Sequence, residues 1–243
     1  MPEISELISR LGLDPSECIV LSSGGSQIDF TYEVSPYQFL SQAASDLHTG
    51  GTAALLNSLT NSRRAILCQM DRVLEALGFD AHSLSTKAKT ELLAFLGLPT
   101  PAILRKVGDL RNDLEHRYKS PPLDRVEDAH DIAMLFIEAI DRYMDTFWGE
   151  FYIGQKDELL GGMEFGFKRQ LEFDYDSERR VFRVVAAQGS EHFPMEESGR
   201  IGRVPIDRGT VLHKHCVRLA LTEFSRIPAE EAVQDFFVAL KDA

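Results

Sequence analysis

The sequence predicts an α+β fold that is mainly α. It comprises an antiparallel helical bundle over 35–148, a short β-containing arm at 1–34 and a small mixed α+β domain at 149–243. Three observations carry that expectation. Between Pro36 and Trp148 apolar residues recur at spacings of three and four, the period of one helix face. After Gly149 the period shifts to the alternation of a half-buried strand. Before Pro36 the alternation is weak, but β-forming residues are dense.

In the arm, Ile4, Leu7, Ile8 and Leu11 mark a short helix ended by Gly12. Residues 18–21 read as a short strand, 22–26 as a Gly-containing turn, and 27–34 as a second strand ended by Pro36. The first bundle helix covers 36–47 and is closed by the Gly50-Gly51 breaker. The second, 53–77, carries a seam of Leu56, Leu59, Ile66, Met70, Val73 and Leu77, interrupted by Arg63. An arginine there can lay its stem on apolar surface and keep its head in water. A shorter helix at 87–96 ends at Gly97.

Thr100-Pro101 is a helix start, a capping hydroxyl followed by proline at the first helical position. That helix runs to about 119, with Ile103, Val107, Leu110 and Leu114 on one face, and Pro121-Pro122 stops it. The last long helix, 124–147, buries Val126, Ile132, Ala133, Phe136, Ile137, Ile140 and Met144. Beyond it, 167–175 and 181–187 alternate around 176–180 as a hairpin, and 202–206 reads as a further strand. Residues 211–224 leave helix and strand open, and 229–240 reads as a terminal helix with Val233, Phe236, Phe237 and Leu240 inward. The C-terminal domain is expected to have the arm's strand at 27–34 available for pairing.

With 44% hydrophobic and 26% charged residues the chain is ordinary for a folded protein of 243 residues. Three widely spaced cysteines provide no disulfide framework and suit a reducing compartment. No run approaches 18 apolar residues, and the first eleven carry acids rather than an export signal, so a cytoplasmic protein with no membrane partner is expected. The net charge of −12 disfavours broad, non-specific attachment to nucleic acid. Residues 1–35 hold 1 base against 6 acids, 36–148 hold 12 against 15, and 149–243 hold 13 against 17. The middle segment is least acidic for its length, so any contact with phosphate has to be focal.

The informative stretch lies between Leu110 and Pro121. On a helix, Asn112 and His116 share a face, and Arg111 sits about 140° from His116 in azimuth. Only the length of an arginine side chain lets the two converge. A guanidinium for a phosphate oxygen, an imidazole that titrates near neutrality and an orienting amide suit phosphodiester chemistry. The plain structural alternative stays open: Arg111 pairs with Glu115 one turn on, and His116 caps the helix end.

Arginine, four residues, histidine, one residue, tyrosine (Arg111, His116, Tyr118) resembles the signature of HEPN domains, as does Asn112 after the arginine. The flanks 56–66 and 96–101 look like that superfamily's second helix and its approach to the motif. The similarity covers a little under half of the chain. The resemblance implies a HEPN-type bundle and a metal-independent endoribonuclease of toxin–antitoxin or phage-defence type, working as a homodimer on RNA without a cofactor. It implies catalytic roles for Arg111, Asn112 and His116. It also implies Tyr118 as the site that a separate nucleotidyltransferase partner would adenylylate. A catalytically inactive module that binds a nucleotide, RNA or a partner protein is the alternative.

Other features read more plainly. Asn57, Asn61, Arg64 and Asp71 form a polar stripe that either lines a cleft or faces solvent. The run His213-Lys214-His215-Cys216 lacks a second close cluster of ligands, so no metal is expected. The Ser/Gly turn at 22–26 lacks a phosphate-loop lysine.

Overall fold

A computed structural model of the chain describes residues 4–25, 28, 30–100, 120–160, 166–189, 199–223, 225 and 227–241. Among them lie seven α-helices and five strands. Helix α1 (Ile4–Leu11) precedes strand β1 (Cys18–Gly25), and three helices follow: α2 (Pro36–Thr49), α3 (Thr52–Ala76) and α4 (Thr86–Phe95). Helix α5 (Leu123–Asp145) leads into β2 (Trp148–Gln155), β3 (Arg169–Asp176), β4 (Val181–Gln188) and β5 (Arg200–Ile206). Helices α6 (Val211–Ala220) and α7 (Ala229–Ala239) close the described chain.

Local chemistry sets the helix ends. Ser35 caps α2 reciprocally: Gln38 N–H donates to the Ser35 hydroxyl, and Ser35 N–H donates to Gln38 Oε1 at 2.7 Å. Pro36 occupies the first helical turn, where a missing N–H costs nothing. Gly50 and Gly51, both at positive φ, fold α3 back on α2. Helix α3 stops with Gly78 at φ 86° and Phe79 N–H bonded to Leu74 O at 2.9 Å, a glycine-mediated helix end.

The sheet is antiparallel throughout, in the order β1-β2-β3-β4-β5. In register, Phe151 faces Phe173, Phe173 faces Val184, and Tyr175 faces Phe182, so these side chains share one face. They are buried with Ile4, Leu7 and Leu11 of α1, Val217 of α6 and Phe236 of α7 in one continuous core. That core also takes in the apolar sides of α3 and α5. Tyr175 donates its hydroxyl to Ala76 O at 2.7 Å, tying β3 to the end of α3. Arg169 reaches Leu11 O at 2.8 Å and holds Glu158 with its guanidinium, tying α1 to the β2–β3 connection.

This architecture corrects the expected fold class. The molecule is not a mainly α bundle of HEPN type with a short β-containing arm and a small terminal α+β domain. A five-stranded sheet is integral to it, and the N-terminal strand is the sheet's first member. The misreading has a physical source in β2, where Phe151, Tyr152, Ile153 and Gly154 are all buried. Burial of both faces erases the alternation that marks a strand.

The arm is corrected in detail as well. Strand β1 continues through Ser22–Gly25, the stretch expected to turn, with register shifts at Ser22/Gly24 and Gly24/Gly25 that accommodate the glycines. The described residues among 28–34 form no strand. They pass along α3 instead, where Arg72 stacks over the Phe30 ring at 3.9 Å and Cys68 Sγ lies 3.4 Å from Val34 O. Of the stretch 211–224, where helix and strand were both open, Val211–Ala220 forms α6.

Candidate functional site

The proposed catalytic set Arg111, Asn112 and His116, and the modification candidate Tyr118, lie outside the described residues. What the structure supplies is the frame on either side of them. Helix α4 ends with Gly97 at φ 79° and with Leu98 N–H bonded to Leu93 O at 3.0 Å. A β-carbon on Gly97 would run into Ser225, so this exit is clamped against the segment between α6 and α7. On the far side Pro121 is buried and Pro122 opens α5 in extended backbone. Both ends of the motif segment are therefore anchored in packed structure.

The polar stripe on α3 divides. Asn61 donates to Asp46 at 3.2 Å, and Asp71 takes Lys89 in an ion pair, so both are engaged within the fold. Asn57 and Arg64 are exposed. Arg63 is half-buried and engaged.

Sequence reasoning missed a denser polar centre at Asp141 of α5. Its Oδ1 accepts from Gln69 Nε2 at 2.7 Å and Arg72 Nη2 at 2.8 Å, and its Oδ2 accepts from the Tyr37 hydroxyl at 2.9 Å. Burial, then Asp141 and Glu138, push the Tyr37 hydroxyl above its usual range. These partners come from α2, α3 and α5, so the centre fixes how the three helices meet. A signal was present: Gln69 and Arg72, three apart on α3, place a donor pair beside the apolar seam. The carboxylate already accepts from three groups, which suits a positioning role rather than proton transfer.

In the His213 to Cys216 run, two of the four side chains, His213 and Cys216, pack into the core. His213 is fully buried, with its ring centroid 5.2 Å from Phe79 and 5.9 Å from Phe182. Gly209 N–H donates to its Nδ1 at 3.3 Å, which fixes that nitrogen as an acceptor. Burial lowers its pKa to about 4. Cys216 is also buried, and desolvation lifts its thiol well above the normal value. No group of three His, Cys, Asp or Glu side chains is placed to hold a metal among the described residues. No described helix is long and apolar enough to cross a membrane.

Fold and frame define an α+β protein in which the seven described helices and a five-stranded antiparallel sheet share one core. The chain matches no family model, no curated protein and no solved structure.

Proposed function

We propose that this chain is a metal-independent, HEPN-type endoribonuclease of the toxin–antitoxin or phage-defence kind. One observation carries the reading: Arg111, Asn112 and His116 stand at the spacing such a nuclease requires, in a stretch bounded by a glycine-capped helix exit and a proline stop. The substrate's 2′-hydroxyl loses its proton and attacks phosphorus, and the 5′-oxygen leaves and takes up a proton. The products are a 2′,3′-cyclic phosphate and a 5′-hydroxyl end. This chemistry needs a base, an acid and a cation for the charged phosphorane. One chain offers a single His116, and a twofold homodimer offers two, which divide the proton work. Arg111 holds the scissile phosphate, and Asn112 orients the imidazole or the substrate.

The test is cleavage of a structured RNA by the purified chain in EDTA, with a DNA of the same sequence as control. His116→Ala is expected to lose about 10²-fold or more in rate, the scale of general acid–base catalysis. Full activity in that variant, or equal cleavage of DNA, overturns the proposal. The acidity of the chain, −12 overall, favours a second reading in which the module binds a protein partner and has lost activity. A folded chain that leaves RNA uncut and forms a complex with a protein partner is the outcome that reading expects.

A further inference from the structure

Among the described residues, one side of α5 is left exposed while another builds the core through Val126, Ala129, Ala133, Phe136, Ile137, Ile140 and Met144. The exposed side carries three large apolar side chains. Leu123 is 50% exposed, Met134 40% and Leu135 66%. Tyr37, 40% exposed, joins them from α2 through its 3.1 Å hydrogen bond to Glu138. At 100° per residue, Leu123, Glu127, Met134 and Glu138 fall within about 60° of one another. Asp131 lies about 20° beyond the edge of that line and Leu135 about 60° beyond it. From Leu123 to Glu138 the face runs about 22 Å, four helical turns.

Charge selects what covers it. The exposed residues of α5 include six acids, Asp124, Glu127, Asp128, Asp131, Glu138 and Asp145, against two bases, Arg125 and Arg142. Arg125 is drawn to Asp128 at 3.7 Å, which offsets part of its charge. A second copy seated by a twofold axis would set the six acids against six more, and like charges in one interface oppose association. RNA is repelled by the same field. A helix with lysines or arginines around two or three large apolar residues satisfies both the acids and the exposed Leu123, Met134 and Leu135.

We infer that the outer face of α5, from Leu123 to Glu138 with Tyr37 at its edge, is a docking surface for a cationic amphipathic helix of another protein. This does not depend on the Arg111–His116 reading and stands or falls apart from RNA cleavage.

The test uses the full chain and a fluorescein-labelled, 18-residue leucine/lysine amphipathic peptide followed by anisotropy. Leu135→Ser leaves the charge unchanged and alters an outward side chain. It is expected to weaken binding about tenfold, with an unchanged circular dichroism spectrum. Glu127→Lys with Asp131→Lys is expected to weaken it at least as much. Glu91→Lys with Glu178→Lys makes the same charge change at exposed positions elsewhere and is expected to leave affinity within twofold. Equal loss in the second charge pair reduces the effect to diffuse electrostatics and overturns the inference. So does a chain dimer that sedimentation shows to be dispersed by Leu135→Ser, or an RNA oligomer that displaces the peptide.

Discussion

At the scale of single residues, His213 shows how much surroundings decide. In sequence it stands two residues from another histidine and three from a cysteine, which invites thoughts of a ligand set. On α6, however, positions 213, 216, 217 and 220 are all buried and share one helix face. The neighbouring Gly78 belongs to the same contact: a β-carbon there would sit 2.6 Å from Arg180 O and 2.9 Å from His213 Cε1. Burial lowers the ring's pKa from 6.5 to about 4, so the unfolded chain binds a proton that the folded chain refuses. The contribution is therefore complete above about pH 6.5 and is lost as pH falls toward 4, on the order of 3 kcal/mol in all. Urea unfolding at several pH values is expected to show this slope in the wild type and a shallower one in His213→Phe. Parallel slopes in the two proteins would reject the assignment.

At the scale of elements, legibility followed periodicity. Helices α2, α3, α4 and α5 fall within two residues of their expected bounds because their buried faces repeat at three and four. The β3–β4 hairpin was readable because Glu172, Asp174 and Arg183 alternate with buried aromatics and Val184. Strand β2 was not, and Gly154 explains why its second face is dry. The Phe167 ring lies against that glycine, and an added β-carbon would stand 2.6 Å from Phe167 Cβ. Gln170 Oε1 accepts the Phe167 N–H at 2.8 Å and keeps the ring over the strand. A contact between residues thirteen apart leaves no periodic trace in sequence. Gly154→Ala is expected to cost about 1–3 kcal/mol through overpacking. The cost should shrink when Phe167→Ala makes room, a coupling that a double-mutant cycle in urea reads directly. Independent, additive losses would show that the ring does not pack on the glycine.

At the scale of the whole molecule, the pairing of β1 with β2 matters most, because it joins residues 18–25 to residues 148–155 across the entire helical stretch. The candidate site is known only as residue types at a spacing, because Arg111, Asn112, His116 and Tyr118 lie outside the described residues. The closure of the sheet was not legible, since strand pairing over more than a hundred residues depends on partners rather than local pattern. The consequence is mechanical. Helix α5 runs into β2 with only two residues between, and Trp148 at that junction donates its indole N–H to Glu223 beyond α6 at 2.7 Å. One core spans the helices and the sheet, so neither half can lose its packing without exposing apolar surface of the other. Trp148 is the only tryptophan in the chain, and its emission reports on the junction alone. Urea unfolding followed by this emission and by far-ultraviolet circular dichroism is therefore expected to give coincident single transitions. A helical signal that persists after the Trp148 signal has changed would mean that residues 36–145 fold on their own and that the sheet is an appended unit.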